Sequence, residues 1–386
     1  MHELTNRTIE VLADLVSYDT TSHLSNLPIV EHIHDVLVGA GFSVLEIPSP
    51  DGKKAGILAR RGPKDEPGLV LSAHTDVVPA ANEDWSHDPF QLRRVGDQLI
   101  GRGACDMKGF IACVLAWVEA NETEDLPVWI ALSRDEELGC IGAEEVVDRF
   151  RAEGGRARIC IVGEPTELDV VTAHKGIFQV RGVATGSEAH SSLAPQAVNA
   201  VQSAVAVVSF LTSLAEQREQ EGPFDPDFDV PHSTIHTGTI RGGTACNIVP
   251  KRCEFEFEYR YLPGESKEEF LAKVYEFART SVEPAMQSLC EPCGFEFQVQ
   301  SDAPGLEQSV DDDTLAMVRA AAGGTEVRKV AFATDAGHFG SRGIPTLVCG
   351  PGSIENAHKP DESIAVDQLN RYLGFLDDLV AAMQND

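Results

Sequence analysis

The chain opens on an amphipathic stretch, residues 3–18, whose apolar positions recur at helical spacing. A second helix is expected to begin near Pro28, with Asn26 upstream as its cap and Gly39 and Gly41 closing it. Short β-like runs come next: FSVLEI, AGILARR and GLVLSAH, then PVWIALS and ARICIVG, with helical stretches near residues 108–121 and 141–152. Apolar strands alternating with helices predict a largely parallel sheet covered by helices.

The pattern changes near residue 175. GIFQVRGVAT, STIHTGTIRG and CEFEFEYRYL read as strands of an antiparallel sheet with one wet face, accompanied by helical stretches at about 195–219 and 266–287. The polar, Pro-rich EQREQEGPFDPDFDVP predicts a loop. From about residue 294 the chain returns to β/α alternation, with strand PTLVC and a last helix at about 366–384. The expected fold is therefore α/β. A domain of residues 1–175 and 291–386, with a mostly parallel sheet flanked by helices, is interrupted by an inserted α+β domain, residues 176–290, with an antiparallel sheet.

Composition narrows the partners. At 386 residues the chain is long enough for two cores, and 42 % hydrophobic with 24 % charged residues is ordinary for a globular enzyme. Lys and Arg number 31 against 61 Asp and Glu, a net charge of -30. That sign argues against a nucleic-acid partner and against anionic membranes. There is no apolar run of bilayer-spanning length and no visible export signal, and the nine scattered Cys suit reduced thiols better than a disulfide framework, so the expected location is the cytoplasm. Cys290 and Cys293 form a lone C-x-x-C, a weak sign of a metal or redox site.

The chemistry gathers at strand ends. GLVLSAHTD puts His74 and Asp76 at the end of one apolar strand, WIALSRDEE puts Glu136 and Glu137 just beyond another, and CIVGEP puts Glu164 beyond a third. Open α/β sheets bind ligands outside the carboxyl ends of their strands, so these groups can converge. Asp106 lies in the Gly-rich GRGACDMKG and His358 in the late PGSIENAHKPDE. Two His and three carboxylates suit two ions of zinc, cobalt or manganese, with Asp106 the natural bridge. Asp76, two residues after His74, is placed to hold the other ring nitrogen. Of the adjacent Glu136 and Glu137, one can bind metal while the other faces the attacking water. On residue types and spacing alone, a metal site and an acidic rim remain equal readings.

The strings AHTDVVP, GRGACDMKG, RDEELG, VGEPT and AHKPDE, in that order, resemble the di-zinc amidohydrolases, a family that includes acetylornithine deacetylases, succinyl-diaminopimelate desuccinylases, aminoacylases and carboxypeptidase G. The resemblance implies a zinc-binding α/β domain with an inserted dimerisation domain, and so a homodimer. It implies that His74 and Glu164 bind one zinc ion, Glu137 and His358 the other, and that Asp106 bridges them. It gives Asp76 the role of orienting His74 and Glu136 that of general base, taking a proton from the attacking water and passing it to the leaving amine. The family's oxyanion donor, a His supplied by the partner subunit, matches His190 in GSEAHSSLAP. Its substrate-contacting Asn and Arg match Asn247 in GGTACNIVP and Arg260 in EFEYRYLPGE. The plain alternative for Arg260 is a surface cross-strand ion pair, but a guanidinium fork suits an α-carboxylate and the Asn context favours recognition.

Within that family the late motifs discriminate. CGPGSIENAHKPDE resembles the acetylornithine deacetylases, whereas desuccinylases more often carry Asn at the position of Asp361. FATDAGHFG resembles the deacetylase pattern T-E-A-G-x-F, but Asp335 stands where Glu is expected and His338 is an unusual neighbour. The expected substrate is a small N-acyl amino acid, N-acetyl-L-ornithine. Desuccinylases, other N-acyl-amino-acid hydrolases and dipeptidases share the same catalytic residues, and an inactive metabolite-binding relative is the non-enzyme alternative.

Overall fold

The structure is a computed structural model that describes residues 2–63, 65–81, 83–121 and 126–385. The chain forms two compact units: Met1–His174 with Leu306–Lys329 and Thr334–Asp386, and Lys175–Gly305 with Val330–Ala333. In chain order the main strands are β1 (Ser43–Pro48), β2 (Ala55–Arg61), β3 (Gly68–His74), β4 (Val128–Ser133), β5 (Ala157–Val162), β6 (Val170–His174), β7 (Gly176–Thr185), β8 (Thr234–Gly242), β9 (Arg252–Tyr261), β10 (Gly294–Ala303), β11 (Val327–Val330) and β12 (Thr346–Val348).

The first unit is built on an eight-stranded sheet, order β1-β2-β4-β3-β5-β12-β6-β11. Its four middle strands, β4, β3, β5 and β12, run parallel. β1 and β2 on one side and β6 on the other run antiparallel to their neighbours. Every residue of β3 and β4 is buried, as near-continuous apolar strands require when both faces of a sheet are covered. Helix Lys108–Ala120 is buried from Lys108 through Val118. It meets the last helix, Val366–Asn385, where the Phe110 and Tyr372 rings lie 5.2 Å apart and Trp117 Nε1 donates to Asp377 at 2.8 Å.

The expected helices form, with one change of role. Leu27–Gly39 is helical, but Asn26 makes no side-chain capping bond. Its side chain instead donates to Ala55 O at 2.8 Å and Thr75 Oγ1 at 3.0 Å, and accepts from Ala55 N–H at 2.9 Å. A buried amide satisfied on both sides ties the helix entry to the start of β2.

The second unit is a four-stranded antiparallel sheet, order β8-β9-β7-β10. β9 alternates strictly: Cys253, Phe255, Phe257, Tyr259 and Tyr261 are buried in a core shared with helices Ala200–Glu221 and Lys267–Phe277. Glu254, Glu256, Glu258 and Arg260 point the other way, as a period of two dictates. The inserted unit runs further than residue 290, because β10 pairs with β7 along its length and belongs to this sheet. Its sequence, GFEFQVQSDA, precedes helix Asp312–Ala321 and so mimics a β/α step. The expected loop at residues 216–231 is also shorter: the helix persists to Glu221 and Gly222 ends it with φ 79°. No helix among the described residues is long and apolar enough to cross a membrane.

Candidate metal centre

His74 is the last residue of β3, and Glu164 lies two residues beyond β5. Glu136 and Glu137 occupy a single 3-10 turn, Glu136–Leu138, after β4. Asp106 precedes helix Lys108–Ala120, and His358 lies in the loop after β12. The carboxyl ends of β3, β4 and β5 thus present His74, Glu136, Glu137 and Glu164, the usual ligand edge of such a sheet, and two loops add Asp106 and His358. Gly163, just before Glu164, is required by close approach: any Cβ there would lie 1.8 Å from the Phe110 ring.

Two donor groups share one residue. His74, Asp106 and Glu164 offer ligand atoms within 4.8 Å of one another, and so do Asp106, Glu137 and His358. His74 Nε2 lies 3.1 Å from Asp106 Oδ1 and 3.9 Å from Glu164 Oε1. His358 Nε2 lies 3.2 Å from Asp106 Oδ2 and 3.0 Å from Glu137 Oε2. The two oxygens of Asp106 therefore face different groups, as a bridging carboxylate must.

The donor chemistry fits a pair of divalent cations. His74 Nδ1 is 2.9 Å from the carbonyl oxygen of Asp76, which can only accept, so Nδ1 carries a proton and Nε2 is the atom that faces the carboxylates and would face a cation. Glu164 Oε1 is buried and has no hydrogen-bond partner. Burial pushes the Glu136 and Glu164 carboxyls well above the usual range and raises Glu137 too. Burial also works against ionisation at Asp106, but bonds from His358 and His74 hold it well below that range. The same bonds, to Asp106 and Glu137, raise His358 to about 10. Four converging carboxylates on two imidazoles are an anionic surplus that dications would neutralise. Nitrogen and oxygen donors of this kind suit zinc, cobalt or manganese.

Asp76 departs from its expected part. Its carboxylate is 3.6 Å from His74 Nδ1, and the backbone carbonyl makes the ring's hydrogen bond instead. The carboxylate accepts N–H bonds from Glu136 at 3.1 Å and Glu137 at 3.3 Å, and the Ser22 hydroxyl at 2.7 Å. It thus caps the turn that carries the two glutamates, whose first N–H groups have no helical partner. That turn is flanked by left-handed residues, Asp135 at φ 57° and Cys140 at φ 58°. Such backbone persists where side chains over-determine it, and Asp135 is held by Arg134 Nη1 at 2.8 Å and by Lys54.

His190, Asn247 and Arg260 lie in the second unit. His190 pairs with Ile248 in a two-stranded ribbon, and Ser191 N–H donates to Asn247 O at 2.9 Å, so His190 and Asn247 are neighbours. Ser192 N–H donates to His190 Nδ1 at 3.2 Å. In the neutral ring the proton is then on Nε2, leaving an exposed N–H donor. Arg260 Nε donates to Glu258 at 2.6 Å on the open face of β9, an ion pair within one strand rather than the cross-strand pair of its plain alternative.

Sequence reasoning missed a third group. Glu136, Cys140 and Asp335 also converge within 4.8 Å, with Cys140 Sγ 3.3 Å from Glu136 Oε1. Asp335 bonds the Ser133 hydroxyl at 2.5 Å, and burial raises its carboxyl to about 6. The Glu-to-Asp departure in FATDAGHFG was the available signal for Asp335. None existed for Ser22, which is distant in sequence and unremarkable in type.

Residues 70–382 match the sequence profile of peptidase family M20/M25/M40. The chain belongs to that family. An acetylornithine deacetylase of Myxococcus xanthus is 33% identical over 368 residues, covering 93% of each chain. Among solved structures, an M20 family metallo-carboxypeptidase of Sulfolobus solfataricus superposes with a TM-score of 0.76 at 17% identity, over 97% of this chain and 98% of that one. A dinuclear metal-binding M20 peptidase of Bacillus subtilis gives 0.65 at 17% identity, over 100% and 99%. Family membership makes the chain a hydrolase, and the second of these folds is known with a dinuclear centre.

Proposed function

We propose that this M20/M25/M40 hydrolase cleaves the amide bond of N-acetyl-L-ornithine, releasing acetate and L-ornithine, with two divalent metal ions held at the ends of β3, β4 and β5. One observation carries the metal reading: Asp106 turns one oxygen to His74 and the other to His358. His74 and Glu164 would hold one ion and Glu137 and His358 the other, with Asp106 shared between them. Zinc is the expected ion, with cobalt or manganese able to replace it. The bound pair would acidify water and polarise the amide carbonyl.

The remaining steps belong to side chains. Glu136 lies in neither ligand group and beside both, placed to take the proton of the attacking water and return it to the leaving amine. Asp76 holds the Glu136–Glu137 turn. His190 donates Nε2–H to the developing oxyanion, and Asn247 and Arg260 bind the substrate, Arg260 exchanging Glu258 for the α-carboxylate. Acetylornithine is favoured by the 33% identical deacetylase and by the late motif CGPGSIENAHKPDE. Release of ornithine places the enzyme in arginine biosynthesis, and nine free cysteines suit a reducing cytoplasm.

The substrate reading is tested by kcat/KM on N-acetyl-L-ornithine beside N-succinyl-diaminopimelate, with metal-stripped protein as control. We expect a metal-dependent preference for the acetyl compound. A preference for the succinyl compound would keep the centre and overturn the substrate. We further propose a homodimer in which His190 of one chain serves the centre of the other. His190→Ala is then expected to lower the rate at unchanged metal content, and mixing it with Glu136→Ala protein should restore part of the activity. Absence of restoration in a demonstrated heterodimer would end the sharing idea.

A further inference from the structure

Glu362 ends the HKPDE string, four residues after His358. It is 1 % exposed, yet its carboxylate is surrounded by donors. Oε1 accepts the backbone N–H groups of Cys105 at 2.9 Å and Asp106 at 3.0 Å. Oε2 accepts Gly103 N–H at 3.1 Å and Arg102 Nη1 at 2.9 Å. The main chain joins the same pairing, since Gly101 N–H donates to Glu362 O at 2.9 Å. Arg102, fully buried, is anchored from behind by Glu83 at 2.5 Å, by Pro79 O at 3.2 Å and by the Trp85 ring at 5.0 Å.

Converging backbone N–H groups form a concavity for an anion. Here the anion is the protein's own carboxylate, and it comes from the loop that carries His358. Its four bonds fix the backbone of Gly103–Asp106, including the N–H of Asp106 itself. The same bonds fix how far that turn stands from the His358 loop. The separation between Asp106 Oδ2 and His358 Nε2, 3.2 Å, depends on that distance.

We infer that Glu362 is a positioning residue that clamps the Asp106 turn to the His358 loop and thereby sets the metal affinity of the centre. The inference rests on reading Asp106 and His358 as ligands. A carboxylate buried only for packing would affect stability alone. A clamp between two ligand-bearing loops affects metal binding in protein that is still folded.

The test is chelator competition with zinc on wild type and on Glu362→Gln, which keeps the shape but replaces one acceptor oxygen by a donor. Supporting residues of metal centres typically contribute about 10- to 100-fold in affinity or activity. An increase in dissociation constant of that size is expected for folded Glu362→Gln, with kcat reduced and KM little changed. Glu362→Asp, which restores the charge on a shorter arm, should recover part of the affinity. Amide exchange on metal-stripped wild type provides a readout that needs no variant to fold: the N–H groups of Gly103, Cys105 and Asp106 are expected to be protected before metal is added. Wild type that binds no zinc pair would overturn the reading of the centre itself. Wild-type affinity in Glu362→Gln, or amides that become protected only when zinc is added, would overturn the clamp and leave that reading intact.

Discussion

Glu136→Ala is expected to retain both metal ions and to lose turnover by about 10²- to 10⁴-fold, the range a positioned general base contributes. The geometry separates the two effects. Glu136 is in neither group that shares Asp106, so its removal takes no ligand from either. Its backbone N–H, held by the Asp76 carboxylate at 3.1 Å, stays in place, so Glu137 beside it keeps its orientation. Metal content by mass spectrometry and kcat on the same preparation give the answer. Turnover near wild type would remove Glu136 from the mechanism, and loss of metal would make it a ligand.

Asp106→Ala has a different signature. Both ligand groups lose their common member, and His74 and His358 lose the carboxylate oxygens at 3.1 and 3.2 Å. Neither ion is expected to survive dialysis. Activity should fall by more than the roughly 100-fold upper end for residues that only support a ligand. Glu137→Ala removes a ligand from one ion alone and should leave the His74 side occupied. If Asp106→Ala kept two tightly held ions, the bridge would be wrong.

Much of this was legible in the sequence because strand ends announce themselves. Apolar runs such as GLVLSAH must be buried, and the residues just past them must emerge at the carboxyl edge of the sheet. His74, Glu136, Glu137 and Glu164 are placed that way, and the structure groups His74 and Glu164 with Asp106, Glu137 with Asp106 and His358, and Glu136 with Cys140 and Asp335. Less legible were roles that depend on which atom of a residue points where. Asp76 was expected to hold His74 by its carboxylate, yet the backbone carbonyl does so and the carboxylate caps the next turn. Asn26 looks like a helix cap in the sequence, but the nearby strand offers its amide better partners.

Non-local pairing explains the other differences. β10 reads as part of the first domain until its ladder with β7 assigns it to the second. Asp361 separates the deacetylase motif from that of desuccinylases, but its carboxylate binds the Ser86 N–H and hydroxyl at 3.0 and 2.9 Å, a tie between loops. Cys140 is only one of nine scattered cysteines in the sequence, and it is the fold that sets its thiol against Glu136.

Anomalous diffraction from crystals of zinc-loaded protein tests the central claim most directly. The account predicts two zinc peaks on either side of the Asp106 carboxylate, one between His74 and Glu164 and the other between Glu137 and His358. A single peak, or zinc held by Glu136, Cys140 and Asp335 instead, would contradict it.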